Sequence, residues 1–377
     1  MKVLNVNMSL DPVTGGGTAE RTLQLSREMA RIGIKTVILT TNIGLMEKYK
    51  KNTENMEVVA LPCLCKRFYF PKFSRRTIKN LMAEADIVHL MGHWTFINAL
   101  AYKTARQLNK PYVVCPAGAL PVYGRSKVLK NFYNFMIGRE IIKNANGHIA
   151  IATNELEHFK EYGIDAGKVT LIPNGVNVDD FSQSSENDFR NRYHLGDSPF
   201  ILFMGRLNLI KGPDLLMKAF SNVKDKLPGY HLVFAGPDGG MLTELKNMVL
   251  QFSLERRVHF VGYLGSDEKI GSYRAAKLLV IPSRQEAMSI VVLEAGISGT
   301  PVLLTDQCGF NDIGFVDGGL IVSASVDSIQ KGLLDILGDD VKLRKMGENL
   351  KSYVQNNFTW KIAVGKYLLL YNAILKQ

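Results

Sequence analysis

Two stretches of this chain open alike, each with an apolar strand that runs into glycine and then into a helix. Val3 to Met8 leads to Gly15-Gly16-Gly17 and to a helix expected from about Thr18, whose Leu25, Met29 and Ile32 fall at helical spacing before Gly33 ends it. Phe200 to Met204 leads to Gly205-Arg206, and Lys211-Gly212-Pro213 then starts a helix through Leu216, Ala219 and Phe220. A strand apolar on both faces cannot stand at a solvated sheet surface, so each opening predicts a parallel sheet with helices on both sides. At 377 residues the chain exceeds one ordinary core, and two similar α/β units are expected.

More strands follow in each half, separated by helical segments. Thr36 to Thr40, Ile87 to Leu90, Tyr112 to Cys115, Gly147 to Ala152 and Val169 to Ile172 serve the first half. His231 to Ala235, Val258 to Val261, Leu278 to Ile281 and Val302 to Leu304 serve the second. Pro173-Asn174-Gly175 closes the first unit, and the polar run Ser182-Gln183-Ser184-Ser185-Glu186-Asn187-Asp188 reads as the crossing into the second. The units are expected over 1–178 and 179–360.

The composition excludes several classes. Met1-Lys2 followed by Val3-Leu4-Asn5-Val6-Asn7-Met8 is too short and interrupted for an export core, and no apolar run is long enough to span a bilayer. Cys63, Cys65, Cys115 and Cys308 have neither paired-zinc spacing nor the density of a disulfide scaffold, so a reducing cytoplasm is expected. Charge is uneven: residues 1–175 hold 24 Lys+Arg against 13 Asp+Glu, while residues 176–377 hold 22 of each. The first half therefore carries the whole excess of +11, which suits an anionic partner such as a membrane surface or a phosphorylated acceptor, or else a solvated basic face.

Glu286 and Glu294 stand in a stretch that reads strand, loop, helix. The apolar run Leu278 to Ile281 ends at Pro282, Glu286 falls in the loop, Ser289 suits a helix N-cap, and Glu294 lies on the helix begun by Ile290 to Leu293. The free N–H groups at a helix start form an anion site, so a phosphorylated ligand flanked by two carboxylates is expected here.

Taken in order, the second-half motifs resemble the donor domain of a family 4 glycosyltransferase of the GT-B fold. They are Gly205-Arg206, Lys211-Gly212, Ala235-Gly236-Pro237, Phe260-Val261-Gly262-Tyr263, Pro282-Ser283, the Glu286 and Glu294 pair, and Gly299-Thr300-Pro301-Val302. Gly15 to Gly17, Asp86-Ile87-Val88-His89 and Ile172-Pro173-Asn174-Gly175 extend the resemblance over the first half. It implies two facing Rossmann-like domains with a cleft between them, and a closing helix from Phe358-Thr359-Trp360 onward, with 361–377 packing back on the first domain. It also implies retaining, metal-independent hexosyl transfer from a UDP- or GDP-linked nucleotide sugar to an acceptor hydroxyl, with no cofactor.

The resemblance assigns roles residue by residue. Arg206 and Lys211 would hold the diphosphate and stabilise its charge as the sugar leaves; Glu286 would lie beside the transferred sugar and Glu294 would bind the ribose. Ser289, Ile290 and Val291 would offer backbone N–H groups to the diphosphate, Tyr263 and Leu264 would border the nucleobase, and Gly15, Gly16, Gly17 and Asn174 would line the substrate region. The chain departs from the family at Ala287, where glycine usually follows the glutamate, and at Ala117, where many relatives carry a histidine that contacts the sugar. His89 and His93 lie in the preceding loop region, either of them within reach of the cleft, and His93 is the candidate taken for that place.

Two basic aromatic segments remain. Gly124 to Arg139 reads as an amphipathic helix, either a face for membrane or lipid-linked acceptor or a core helix with a basic outer side. Lys66, Arg67, Lys72, Arg75 and Arg76 with Phe68, Tyr69, Phe70 and Phe73 form the other, and no recognised nucleic-acid module accompanies them. The expected product is a cell-surface polysaccharide or lipid-linked glycan, made by a cytoplasmic enzyme peripheral to the inner face of the membrane. A nucleotide-sugar-binding partner subunit without activity and a GT-B epimerase are the alternatives.

Overall fold

The computed structural model describes residues 1–11, 13, 15–47, 53–66, 69–72, 74–122, 126–181 and 186–376. They gather into two units, Met1–Gly175 together with Trp360–Gln377, and Val176–Thr359.

The first unit contains β1 (Lys2–Val6), β2 (Lys35–Thr41), β3 (Met56–Leu61), the short antiparallel pair β4 (Cys63–Cys65) and β5 (Phe70–Pro71), β6 (Ile87–Met91), β7 (Tyr112–Cys115), β8 (Gly147–Ala150) and β9 (Val169–Leu171). Apart from that pair they form one parallel sheet in the order β3-β2-β1-β6-β7-β8-β9. Central β1 places Val3 beside Thr36 on one neighbour and Ile87 on the other. Its residues from Val3 to Val6 are all buried, which is why the strand reads as an apolar run. Asn5 is tolerated there because its Nδ2 donates to Ser26 Oγ at 2.9 Å on the helix Gly16–Arg31.

The second unit repeats the plan with β10 (Phe200–Met204), β11 (His231–Ala235), β12 (Val258–Gly262), β13 (Leu278–Ile281), β14 (Val302–Thr305) and β15 (Gly319–Val322). The parallel order is β12-β11-β10-β13-β14-β15. Phe203 and Phe234, with ring centroids 5.4 Å apart, pack with Leu216 and Phe220 of the helix Pro213–Val223 in one buried cluster. Each such side chain contributes about 1.5–3 kcal/mol on burial. The ends of this unit lie side by side, because Val176 bridges Thr359 and its N–H donates to Phe358 O at 2.8 Å.

The short pair β4 and β5 and the strands β3 and β15 were not anticipated; β3 and β15 belong to the main sheets. Both are sheet edges, half-buried along much of their length, although Val58 to Leu61 and Leu320 to Val322 are apolar runs like those of the central strands.

The helix Trp360–Leu375 belongs to the first unit. Its Tyr367 and Tyr371 are fully buried; Tyr371 OH pairs with His89 Nδ1 at 2.9 Å, and Tyr367 OH accepts from Arg21 Nη2. Arg21, on the helix Gly16–Arg31, also reaches Ile172 O at 3.3 Å and Asn174 Oδ1. In chain order the sheets grow outward from β1 and from β10, then resume on the other side at β6 and β13. At such a switch point the loops leaving neighbouring strand ends diverge, and ligands of doubly wound sheets bind in the resulting crevice.

Candidate functional site

At the switch point of the second unit, the loop after β10 carries two of the expected cations. Gly205 N–H donates to Ala235 O at 2.9 Å and Leu207 N–H to Pro237 O at 3.0 Å, which ties the loop to the end of β11. Arg206 is half-buried, with its aliphatic stem against Gly239. Asn208 Oδ1 accepts from Lys211 N–H at 3.0 Å and caps the single 3-10 turn Leu209–Lys211. Gly212, at φ 68°, then starts the helix Pro213–Val223; a Cβ there would lie 2.0 Å from Pro282 O in the next loop. The sequence led straight from Lys211 into that helix, whereas the structure sets Lys211 on a separate turn.

The loop after β13 supplies the carboxylate. Glu286 Oε1 meets Lys211 Nζ at 2.6 Å, and Oε2 accepts from Ser283 Oγ at 3.1 Å. The Glu286 N–H donates to Gln307 O at 2.9 Å, fixing the backbone beneath the side chain. Cys308 lies nearby, but burial first and the Glu286 charge second push its thiol up to about 12, so it offers no thiolate nucleophile at neutral pH.

From Glu286 the chain passes into the helix Ile290–Ile297. Ser289 has the extended backbone of an N-cap, yet its side chain makes no capping bond; the Oγ is buried without a hydrogen-bond partner among the described residues. Ile290 and Val291 form the first turn, where backbone N–H groups lack intrahelical acceptors. One helical stretch on, both oxygens of buried Glu294 are engaged, Oε2 by Tyr273 OH at 2.7 Å and Oε1 by Lys269 Nζ. Burial, then the Glu294 charge, holds the Tyr273 hydroxyl far above its ordinary range, so it remains a donor. After β12, Tyr263 is half-exposed while Leu264 is buried.

Lys211 and Glu286 are thus brought into contact, and Glu294 lies on the helix that leaves the same loop. Four further residues escaped sequence reading: Lys269 and Tyr273, which engage Glu294, and Arg284 with Asp214, which form a bidentate pair at 2.8 and 2.6 Å. None of the four stands in a motif of recognised spacing with its partner, and only the fold pairs them.

The remaining candidates belong to the first unit. Gly15 is the N-cap of the helix Gly16–Arg31, so Gly16 and Gly17 form its first turn rather than a loop, and Thr18 lies inside it. A Cβ on Gly15 would come 2.6 Å from Asp11 O, so the tight approach requires glycine. Asn174 is buried and its Oδ1 accepts from Arg21. His93 is also buried; its Nε2 donates to Asn134 Oδ1 at 3.0 Å, while rings of Trp94, Tyr133 and Tyr162 surround it edge-on at 4.5 to 5.7 Å. Burial lowers it to about 4, so the ring is neutral at pH 7, with Nδ1 unpartnered among the described residues. Ala117 adopts the left-handed region at φ 50°, in a loop whose Gly118 N–H donates to buried Glu155 at 2.5 Å.

The amphipathic segment is three pieces: helix Lys127–Tyr133, π turn Asn134–Gly138 and helix Arg139–Lys143. Gly124 and Arg125 lie outside the described residues, as do Arg67, Phe68 and Phe73 of the other patch and Ser182 to Ser185 of the expected crossing. The core-helix reading holds for one face, where Ile141 and Ile142 join the core and Tyr133 and Ile137 pack against it, but the outer face is apolar as well as basic: Val128 is 80% and Phe135 83% exposed, with Leu129, Phe132 and Met136 also in solvent. Asn134 faces inward, bonded to His93 and, at 2.7 Å, to Tyr162 OH. In the other patch Phe70 packs edge-on against Phe96 at 4.9 Å.

Residues 15–180 match the family model described as Glycosyltransferase Family 4, and residues 184–353 match that described as Glycosyl transferases group 1. The D-inositol 3-phosphate glycosyltransferase of Nocardia farcinica is 26% identical over 99% of this chain and 89% of its own. That of Corynebacterium jeikeium is 30% identical over 63% of this chain and 59% of its own, so the chain spans about three-fifths of that relative. The mannosylfructose-phosphate synthase of Agrobacterium fabrum is 24% identical over 78% of this chain and 72% of its own. Among solved structures, sucrose-phosphate synthase from Thermosynechococcus elongatus has a TM-score of 0.80 at 20% identity, covering 100% of this chain and 99% of that one. Anabaena HepE in complex with UDP and glucose has a TM-score of 0.82 at 16% identity, covering 99% and 100%. These likenesses show the GT-B fold, two parallel-sheet α/β domains.

Proposed function

The chain belongs to the family 4 glycosyltransferases, and on that premise we propose that it is a retaining hexosyltransferase moving a hexosyl unit from a UDP- or GDP-linked sugar to an acceptor hydroxyl. The observation that carries this reading is the 2.6 Å contact between Lys211 Nζ and Glu286 Oε1, in a loop that runs on to an uncapped helix start. An ammonium has three donors, so Lys211 can keep Glu286 while it meets a phosphate oxygen. Arg206, Lys211 and the first N–H groups from Ser289 to Val291 then face the charge that grows on the diphosphate as its bond to the anomeric carbon breaks.

Glu286, held by Ser283 and Lys211, orients a sugar hydroxyl and faces the positive charge at the anomeric carbon. Glu294 receives the ribose hydroxyls on lone pairs left free by Tyr273 and Lys269, and half-exposed Tyr263 borders the base. The acceptor oxygen bonds to the anomeric carbon on the face the diphosphate leaves, and its proton passes to the leaving phosphate. No step in this account needs a protein nucleophile or a metal ion. Support for a nucleotide-linked hexose comes from HepE, solved with UDP and glucose.

A glycan or lipid-linked acceptor at an anionic membrane surface fits the first unit. Exposed Val128, Leu129, Phe132, Phe135 and Met136 alternate with Lys127, Lys130 and Arg139, in the half that holds the whole positive excess. No described helix is long and apolar enough to cross a membrane.

The test is calorimetry across a panel of nucleotide sugars, followed by turnover with the donor that binds. Glu286→Gln and Lys211→Ala are each expected to lower kcat about 10²–10³-fold; full activity in both overturns the proposal. Donor binding with no product from any acceptor would favour a partner subunit, and free epimerised donor an epimerase. Co-sedimentation with anionic but not zwitterionic vesicles, lost in Phe132→Ser/Phe135→Ser, tests the membrane surface; equal binding by the variant refutes it.

A further inference from the structure

The ion pair between Lys211 and Glu286 is a single contact between two flexible side chains, and it does not by itself fix the distance between the loops that carry them. A bound diphosphate would compete for the same ammonium. Something else must hold the two loops, and Arg284 has the contacts to do so.

Arg284 lies two residues before Glu286. Its Nη1 donates to Asp214 Oδ1 at 2.8 Å and its Nη2 to Asp214 Oδ2 at 2.6 Å, the parallel fork that guanidinium and carboxylate make best. Asp214 is buried in the first turn of the helix Pro213–Val223, just past Lys211. Arg284 Nη1 also donates to Leu209 O at 2.6 Å, and its backbone N–H to Ile210 O at 2.7 Å. Those carbonyls are two of the three in the turn that carries Lys211. The close approach of Gly212 to Pro282 O completes the joint.

We propose that Arg284 and Asp214 are positioning residues, a clamp that fixes the Lys211 turn against the Glu286 loop and so sets the geometry of the charge-stabilising pair. This rests on the hexosyltransferase reading. The clamp touches neither substrate nor reacting atoms. Its loss is felt in the chemical step, where misplacement of about 1 Å costs about 10²-fold, and hardly in donor binding, which Glu294 and the helix start sustain.

The experiment compares Arg284→Met, Arg284→Lys, Asp214→Asn and the Arg284→Met/Asp214→Asn double variant for kcat, donor KM and thermal midpoint. Expected are a fall in kcat of about 10²-fold with KM changed less than about threefold, little rescue by lysine, which keeps the charge but loses the fork, and a double variant no worse than the worse single. Should Arg284→Met fail to fold, Arg284→Lys carries the test. Unchanged kcat in Arg284→Lys, or additive losses in the double variant, overturns the clamp while leaving the transferase reading intact. If the wild type turns over no donor, that reading falls, and the clamp is read from the NMR signal of 13C-methylated Lys211. Arg284→Lys is then expected to change that signal from a fixed lysine to a freely mobile one, and an unchanged signal overturns the clamp.

Discussion

Replacing Ser289 with alanine separates what a helix start needs for folding from what it offers a ligand. An N-cap serine normally contributes about 1 kcal/mol by accepting a backbone N–H of the first turn. Ser289 has the N-cap backbone, φ −80° and ψ 113°, but its buried Oγ has no hydrogen-bond partner among the described residues. A buried hydroxyl left unpaired costs about 1–3 kcal/mol, a cost that alanine removes. Ser289→Ala is therefore expected to match the unliganded wild type or exceed it by about 1 kcal/mol. With a diphosphate bound the sign reverses, because the hydroxyl then meets a charged acceptor in a bond worth about 1.5–3 kcal/mol. Affinity for UDP or GDP should fall roughly ten- to hundredfold. Urea unfolding with and without saturating nucleotide, alongside calorimetric titration, reads both effects. A loss of 1 kcal/mol or more without ligand would show that the hydroxyl caps the helix, and unchanged nucleotide affinity would remove it from the anion site; either result refutes the reasoning.

Burial holds His93 at about 4, below its ordinary value near 6.5, so the unfolded chain binds that proton more readily. Its contribution is full above pH 6.5 and is lost as pH falls toward 4, by up to about 3 kcal/mol. Denaturant titrations at pH 7 and pH 4.5 should show this slope, reduced in His93→Phe; His89 and His148, lowered by burial in the same way, contribute to the rest. Ala117→Gly should stabilise the protein by about 0.5–1 kcal/mol, because φ 50° crowds a Cβ, and a lower unfolding midpoint would contradict this. Turnover is expected to survive EDTA, since Arg206 and Lys211 supply the charge on the diphosphate; abolition by EDTA and rescue by a divalent cation would overturn that division of labour.

Central strands were legible in sequence because burial on both faces forces an unbroken apolar run, as in Leu278 to Ile281. Edge strands β3 and β15 were passed over although Val58 to Leu61 and Leu320 to Val322 are apolar too, because a short apolar run does not by itself decide between a strand and a buried helix segment. The glutamates were legible through their place between a strand end and a helix start, whereas the partners of Glu294 and the Arg284–Asp214 fork depend on loops that come together only in the folded sheet. His93 shows the same boundary from the other side: its sequence neighbourhood allows a surface or a packed ring, and the aromatic neighbours that decide the matter include Tyr133 and Tyr162, which are distant in sequence.

The helix Trp360–Leu375 has a consequence for how the chain is made. On the ribosome the segment Met1–Gly175 emerges before Val176–Thr359, yet His89 and Arg21 wait for Tyr371 and Tyr367, which emerge after it. The contiguous Val176–Thr359 can close its core meanwhile, so the order of synthesis and the order of completion are opposite. A chain truncated before Trp360 would hold a complete second unit and an unfinished first one, with the Arg21 guanidinium still lacking its tyrosine.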